Sequence, residues 1–285
     1  MKGARLHLAL FLLTVVTTLY AGAYYIQDYD IFVDFPHRLL TGLWKGVPFS
    51  LPLLAILGSH EFAHYFNSKR HHVDATLPYF IPFPNIFGTL GAVIKMRSRI
   101  MDRRALIDIG ASGPLAGFVL AVLACAAGIT LSTVGQEVPL KEGDITLGGS
   151  LLFDLMLKVF LDADIADKSV NLHPIAVAGW VGLFVTSINL MPVGQLDGGH
   201  ISYAFLGTRH RYVSWAFIVL LVLMGAFFFE GWLIWAALLI VLGTKHPPVA
   251  DPYSPLDTKR KLIGLASLAV FILTFSPSPI DVYIP

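Results

Sequence analysis

The stretch Gly58-Ser59-His60-Glu61-Phe62-Ala63-His64 decides how the chain folds and acts, because it places three polar groups at the end of an apolar run that begins near Phe49. On an α-helix, residues four positions apart lie on one face, so both imidazoles reach the same metal ion. Glu61 projects roughly 100° from His60, close enough to address a water bound to that ion. Such residues are costly on a hydrophobic helix, so the pattern predicts a metal centre. The alternative is a chance histidine pair that faces lipid headgroups.

The composition is that of a membrane protein with several spans. The 285 residues are 55% hydrophobic and 14% charged, whereas soluble proteins carry about 25% charged residues. Mean hydropathy is +0.69. The net charge of +1 gives no basis for binding nucleic acid. The single cysteine, Cys125, excludes an intrachain disulfide and a cysteine-based zinc site.

Apolar runs of sufficient length predict the membrane-spanning helices. The predicted spans cover residues 6–26, 47–67, 106–131, 174–192, 212–229, 231–243 and 262–276. The first run ends in Ala21-Gly22-Ala23, which is typical of a cleavable signal peptide, but we favour a retained helix because the topology closes better with it. Residues 150–161 are predicted to form a short amphipathic helix on the surface.

Residues 77–94 are apolar enough to enter a bilayer, yet Pro78, Pro82 and Pro84 prevent a continuous helix. Irregular backbone at membrane depth survives only where protein or a water-filled cavity covers it. We therefore expect a re-entrant segment of short extended strands against the catalytic helices, with a loop at the membrane interface as the alternative. The predicted fold is an all-α polytopic membrane protein, with about six to seven transmembrane helices and this Pro/Gly-rich segment, in one domain over 1–285.

The distribution of charge predicts which way the spans run. Basic residues concentrate at the N-terminus and in 68–105, 207–212 and 244–261, whereas 27–46 and 132–173 are acidic. Seven spans place every basic segment on one side of the membrane, which is the cytoplasmic side by the positive-inside rule. The metal motif then lies about 5–10 Å inside the cytoplasmic boundary.

A catalytic zinc takes three protein ligands and one water, so a third ligand is needed. Asp197 fits best, because it follows the fourth span on the same side, after a break at Pro192 and Gly194. The glycine pair 198–199 leaves room for close approach of the backbone to a metal or substrate. His200 is the competing third ligand, and a helix-capping role is the plain alternative for Asp197.

The predicted chemistry is peptide hydrolysis. Zinc lowers the pKa of its bound water towards about 7, and Glu61 takes the proton and later delivers it to the leaving amine. Asn189 is a candidate donor to the oxyanion or the substrate backbone, with a helix–helix hydrogen bond as its alternative. Asp108 is expected to interact with the dipole at the start of the third span. Four histidines in predicted loops are expected to be ordinary surface residues: His37, His173, His210 and His246.

His60-Glu61-Phe62-Ala63-His64, together with Asn189-Leu-Met-Pro192-Val-Gly-Gln-Leu196-Asp197-Gly198, resembles the site-2 protease family of intramembrane zinc metalloproteases. That family pairs H-E-x-x-H on one membrane helix with N-x-x-P-x-x-x-L-D-G on another. The resemblance covers roughly 47–207, the expected catalytic core, with C-terminal helices over 212–276. It implies that His60, His64 and Asp197 bind one Zn²⁺ and that Glu61 is the catalytic base. It also implies cleavage of a transmembrane segment of a membrane-anchored regulatory protein.

One departure from the family concerns substrate selection. Many bacterial members carry a PDZ domain, and the loop 132–173 is too short for such a domain of roughly 80–100 residues. We expect no C-terminal regulatory domain either, so selection is expected to come from the helices, the outer loop or a regulatory partner protein. The expected location is a prokaryotic inner membrane with the site towards the cytoplasm, or else an organelle membrane of prokaryotic descent. The alternatives to a protease are a zinc-binding membrane transporter and a non-catalytic scaffold.

Overall fold

The computed structural model describes residues 2–27, 29, 37–135, 145–161 and 169–282. Most acidic residues of the two predicted outer loops lie outside these ranges, namely Asp28, Asp30, Asp34, Glu137, Glu142, Asp144, Asp162, Asp164 and Asp167. The sidedness that depended on them therefore stays a prediction.

Helices dominate the described residues. They are α1 (Lys2–Ala21), α2 (His37–Gly42), α3 (Val47–Arg70), α4 (Arg103–Thr130), α5 (Leu151–Leu161), α6 (Pro174–Asn189), α7 (Asp197–Leu206), α8 (His210–Phe227), α9 (Gly231–Leu242) and α10 (Thr258–Thr274). The strands are short: β1 (Tyr79–Pro82), β2 (Thr89–Val93), β3 (Thr133–Gly135), β4 (Ile145–Leu147), β5 (Ser169–Asn171) and β6 (Ile280–Val282). The strands pair two by two and antiparallel, β1 with β2, β3 with β5 and β4 with β6.

Three helical segments of the described chain are long and apolar enough to cross a membrane: Ala4–Tyr24, Arg103–Thr130 and Asp197–Phe227. The total of six to seven spans stays a prediction. The predicted fifth span, 212–229, agrees with α8 within two residues, and a short 3₁₀ turn joins α8 to α7, so that the continuous helical segment begins at Asp197.

The Pro-rich segment 77–94 contains the β1–β2 hairpin. Tyr79 pairs with Val93 and Phe80 with Ala92, and the register shifts before Pro82. The Phe80 ring is 5.0 Å from that of Phe11 on α1, centroid to centroid, in an edge-on contact. The hairpin therefore packs between α1 and α3; its re-entrant position in a bilayer stays a prediction.

The centre of the molecule is built by α3, α4 and α6. Small residues let these helices approach closely, as is usual for packing within membranes. A Cβ on Gly182 of α6 would lie 2.9 Å from side-chain atoms of Ala121 on α4 and Ile56 on α3. Cys125 is buried in the same contact region as a free thiol. The close packing of α3 against α4 brings the metal motif towards the middle of the bundle.

An ion-pair network joins α10 to this centre. The Arg260 guanidinium donates from Nε to Asp108 Oδ1 at 3.0 Å and from Nη2 to Oδ2 at 2.5 Å. His71, just after α3, is 2.9 Å from the same Oδ2 through Nε2. The predicted dipole role of Asp108 was wrong, because Asp102 caps α4 by accepting from the Ala105 N–H at 2.7 Å. Asp108 instead ties three helices together.

Candidate metal centre

Three side chains from two distant segments converge on one point. His60 and His64 lie on one face of α3, and Asp197 is the first residue of α7. Asp197 Oδ2 is 3.2 Å from Nε2 of each histidine, and the two Nε2 atoms are 3.1 Å apart. Within the described ranges this is the one group of His, Cys, Asp or Glu side chains whose ligand atoms lie close enough to share an ion.

The size and chemistry of this group fit a zinc ion. A triangle with sides near 3.2 Å has its centre about 1.8 Å from each corner, slightly less than the zinc–ligand distances of about 2.0–2.2 Å. The three donor atoms are therefore close enough together to bind one ion. Two imidazoles and one carboxylate are a usual donor set for catalytic zinc. The donor atoms fit one metal ion.

The orientation of His64 is set by a neighbouring helix. Its Nδ1 lies 2.7 Å from the carbonyl oxygen of Ile109 on α4. A carbonyl only accepts, so Nδ1 carries the proton and donates, and Nε2 keeps its lone pair towards the centre. This tautomer is the one that binds a metal.

Three glycines on one face of α4 make room for the site. A Cβ on Gly113 would overlap the His64 imidazole, and one on Gly117 would lie 3.3 Å from Nδ1 of His60. A Cβ on Gly110 would lie 2.9 Å from the Cβ of His200 and 3.2 Å from the carbonyl oxygen of Asp197. Because these positions follow helical spacing, one stripe of α4 accommodates the whole metal centre.

The segment between α6 and α7 presents Asp197. Gly194 has a positive φ of +54°, which favours glycine. The pair Gly198 and Gly199 was predicted to allow approach to a metal or substrate, but the atoms they approach are carbonyl oxygens of this same segment. A Cβ on Gly199 would lie 2.7 Å from the Val193 carbonyl oxygen. The glycines therefore let α7 begin directly against the turn.

Glu61 lies beside the three converging side chains. It is buried, and its Oε1 is 3.9 Å from Nε2 of His60. The backbone amide of Ile94, directly after β2, interacts with its carboxylate. A cavity of about 430 Å³ is lined by Gly58 and Phe62 of α3 and by residues of α1 and β1, but not by Glu61 itself. The carboxylate is thus placed between the histidines and the end of the hairpin.

The other predicted residue, Asn189, is the last residue of α6 and is partly buried. Its amide makes no hydrogen bond to any residue that the structure describes, so the alternative of a helix–helix hydrogen bond finds no support in these ranges. Its role in the reaction remains a prediction.

His200 is not a member of this group and contacts a different histidine. Its Nδ1 is 2.5 Å from Nε2 of His246, whose Nδ1 donates to the Pro247 carbonyl oxygen at 2.6 Å. The prediction of surface positions was wrong for His210, which is buried, and His246 is partly buried. Burial first, and then the neighbouring His200, lowers the pKa of His246 to about 3. No sequence pattern indicates this pair, because its members are 46 residues apart.

The model of peptidase family M50 matches residues 48–230 of the chain. The chain belongs to peptidase family M50. This match confirms the resemblance to the site-2 proteases. Membership of this family and the apolar helices together support an integral membrane protein.

Curated relatives support the same assignment. "Probable zinc metalloprotease EGY1, chloroplastic" of Arabidopsis thaliana is 33% identical over 240 residues, which are 81% of this chain and 43% of that protein. "Probable zinc metalloprotease EGY2, chloroplastic" is 28% identical over 246 residues in Arabidopsis thaliana, covering 83% and 43% of the two chains. Its namesake in Oryza sativa subsp. japonica is 28% identical over 275 residues, covering 93% and 48%.

The chain therefore spans less than half the length of these relatives. No solved structure matches it. The relatives' names and the converging side chains agree on one zinc ion as the cofactor. Because the same names describe these relatives as chloroplastic, they do not support the predicted prokaryotic inner membrane for this chain.

Proposed function

We propose that the chain is an intramembrane zinc metalloprotease that hydrolyses a peptide bond within or near a transmembrane segment of a membrane-anchored regulatory protein. The observation that carries this proposal is the position of Glu61, buried at 3.9 Å from His60 beside the group that His60, His64 and Asp197 form. A carboxylate in that position accepts a proton from a water that enters the site.

Each residue has a distinct task in this proposal. His60, His64 and Asp197 hold the zinc ion, which when bound acidifies water and polarises a carbonyl group. Glu61 takes the proton from the attacking water and returns it to the leaving amine. Asn189, with an amide that has no partner among the described residues, donates to the carbonyl oxygen of the cleaved bond. Changing Asn189 to Ala should lower kcat about 100-fold with KM unchanged; an unchanged kcat would remove this role.

The hairpin supplies a surface for an unwound substrate. Leu90 and Val93 of β2 expose 59% and 50% of their surface, and the strand leads directly to Ile94 beside Glu61. A transmembrane helix pairs its backbone polar groups internally and loses these hydrogen bonds when it unwinds. An extended peptide that pairs with a strand of a short sheet forms new backbone hydrogen bonds. The hairpin thus replaces the lost backbone hydrogen bonds of the unwound segment close to the Glu61 carboxylate.

We further infer that the site opens towards the side of the membrane that carries the basic segments 68–105, 207–212 and 244–261. For the compartment, the relatives' names favour the organelle alternative over the predicted prokaryotic membrane. The same proposal includes a single domain over 1–285, with the catalytic core at 47–207. It also includes selection of the substrate with help from a partner protein. Protease protection of residues 244–257 in oriented vesicles checks the sidedness.

The decisive experiment removes the base and keeps the metal. Glu61→Gln should lower cleavage of a model transmembrane substrate by about 100- to 10,000-fold while zinc stays bound, because an amide cannot accept the proton. Glu230→Gln is the matched control, since Glu230 is exposed at the turn between α8 and α9. Full activity of Glu61→Gln would contradict the mechanism, and loss of zinc would show that Glu61 supports the metal instead.

A further inference from the structure

A larger cavity than the one beside α1 and β1 lies along α7. It is an apolar groove of about 600 Å³ between α7, α8 and α10. On α10 it follows one helical face, with Lys261, Gly264, Leu268 and Phe271 in its lining. The opposite wall includes Ile201 and Phe205 of α7 and Phe217 of α8. The polar side chains of the lining are Lys261 and two serines, Ser202 and Ser267.

The length of the groove corresponds to one leaflet of a bilayer. The ten helical steps from Lys261 to Phe271 rise about 15 Å along α10, which is half of the hydrocarbon thickness of about 30 Å. The opposite wall belongs to the candidate membrane span Asp197–Phe227. The groove therefore starts at a charged residue and extends through apolar side chains over a length that matches one leaflet.

The chemistry of the lining suits a hydrocarbon chain. Apart from Lys261 at one end, the lining offers two serine hydroxyls as its only other polar side chains. A flexible acyl chain has no backbone polar groups that need partners, so it lies along such a lining without an unsatisfied hydrogen bond.

Charge at the entrance indicates the headgroup. Lys261 is exposed and forms no ion pair with any described residue, whereas the adjacent Arg260 is occupied by Asp108 and Asp257. A lysine at the membrane–water boundary with its stem along an apolar surface attracts anionic lipid headgroups. The groove thus combines an available cation at one end with an apolar lining below it.

We propose that this groove binds a membrane glycerolipid with an anionic headgroup, which pairs with Lys261 while one acyl chain lies along α10. Leu190 and Pro192, from the segment that presents Asp197, contribute to the same lining, and so does Gly198, which follows Asp197 in α7. The acyl chain therefore packs against the segment that supports the metal centre. The proposal depends on embedding in a membrane and not on proteolytic activity.

Native mass spectrometry of the purified chain in detergent tests this, with added phosphatidylglycerol and with phosphatidylcholine of the same acyl chains. One phosphatidylglycerol should be retained per chain, and Lys261→Gln should weaken its binding about fivefold. Lys259→Gln is the matched control, because Lys259 is exposed on the same turn and does not line the groove. The affinity of the Lys259→Gln protein for phosphatidylglycerol should stay within about twofold of that of the unchanged chain.

A second pair of variants tests the acyl site separately. Leu268→Trp adds bulk to the groove and should lower retention of phosphatidylglycerol about tenfold. Leu262→Trp, on the exposed part of α10 outside the lining, should not. Equal retention of the two lipids, or no effect of Lys261→Gln and Leu268→Trp beyond their controls, would overturn the proposal. Binding of a transmembrane peptide in place of lipid, lost in Leu268→Trp, would likewise overturn it by assigning the groove to a protein helix.

Discussion

Two histidine pairs close to Asp197 have nearly the same geometry and different surroundings. The ring centroids of His60 and His64 are 4.8 Å apart, and so are those of His200 and His246, with interplanar angles of 68° and 82°. In the first pair both Nε2 atoms face Asp197 Oδ2 at 3.2 Å. In the second pair the nitrogens face each other at 2.5 Å. Ring spacing alone therefore does not make a metal site; a carboxylate at the meeting point does.

The two pairs also differ in what holds them in place. His60 and His64 are on one helix, and the α4 carbonyl of Ile109 fixes the tautomer of His64. The second pair joins α7 to the segment after α9. His246 donates its Nδ1–H to the Pro247 carbonyl oxygen, so its Nε2 accepts from Nδ1 of His200. The first arrangement leaves lone pairs for an ion, whereas the second consumes them in a hydrogen bond that tethers a loop.

The largest expected effect concerns the space that α4 leaves for the first pair. Gly113→Ala puts a Cβ into the His64 imidazole, so the ring must move out of its position. We expect zinc affinity to fall by more than the about 100-fold that changes around a ligand usually cost. Competition with a zinc chelator measures it.

Gly58→Ala is the control for this change. Gly58 is on the same helix as the two histidines, and a Cβ there would meet nothing within 4 Å. Its zinc affinity should match that of the unchanged chain. A Gly113→Ala protein that binds zinc equally well would show that α4 does not confine His64.

A smaller effect is expected at Asp108, which pairs with Arg260 of α10 and precedes Ile109, whose carbonyl orients His64. Asp108→Asn breaks the pair with Arg260, which leaves a partly buried guanidinium with one partner fewer. Removing one partner of a fully buried pair lowers the free energy of unfolding by about 3–5 kcal/mol. Because this pair is about one-fifth exposed, we expect a loss of about 2 kcal/mol. Thermal unfolding in detergent measures this.

Asp74→Asn is the matched control, because its pair with Lys69 is exposed, with side-chain exposures of 57% and 47%. Such pairs contribute about 0–1 kcal/mol. An exchange of the two charges, Asp108→Arg with Arg260→Asp, should recover part of the loss. Equal effects of the two single changes would mean that the Asp108 pair does not hold α10 to α4.

Much of this arrangement could be predicted from the chain itself. Uninterrupted apolar runs predicted helices at 47–67, 106–131 and 174–192, and the structure has them within a few residues at α3, α4 and α6. The same-face spacing of His60 and His64 follows from helix geometry alone. The break at Pro192 and Gly194 correctly marked the turn before Asp197.

The parts that escaped prediction depend on contacts between distant residues. The helix α7 begins with Asp197-Gly198-Gly199, which has poor helix propensity, and it forms where the glycine backbone packs on carbonyl oxygens of its own turn. Asp108 and Arg260 are 152 residues apart, and no local pattern connects them. Tertiary packing decided both features.

The smallest expected effect belongs to the second histidine pair. The pKa of His246 is about 3, below its value of 6.5 outside the fold. A histidine whose pKa is lowered by folding contributes full stability above pH 6.5 and loses it as the pH falls, because the unfolded chain binds the proton more readily. Lowering the pH from 7 to 5 should cost about 1 kcal/mol through this residue, allowing for its partial exposure.

His246→Gln should remove that part of the acid sensitivity while zinc content stays unchanged. Thermal unfolding of both proteins at pH 5 and pH 7 gives the difference, and His37→Gln controls for an exposed histidine outside the pair. If His246→Gln lost its zinc, the second pair would be part of the metal centre and the distinction between the pairs would fail.

The most direct test of that distinction is the zinc content of purified single variants, measured by elemental mass spectrometry. The structure predicts about one zinc per chain in the unchanged protein. Zinc should be lost in His60→Ala, His64→Ala and Asp197→Ala, and retained in His200→Ala and His246→Ala. Retention in Asp197→Ala together with loss in His200→Ala would contradict the account, because it would make His200 the third ligand.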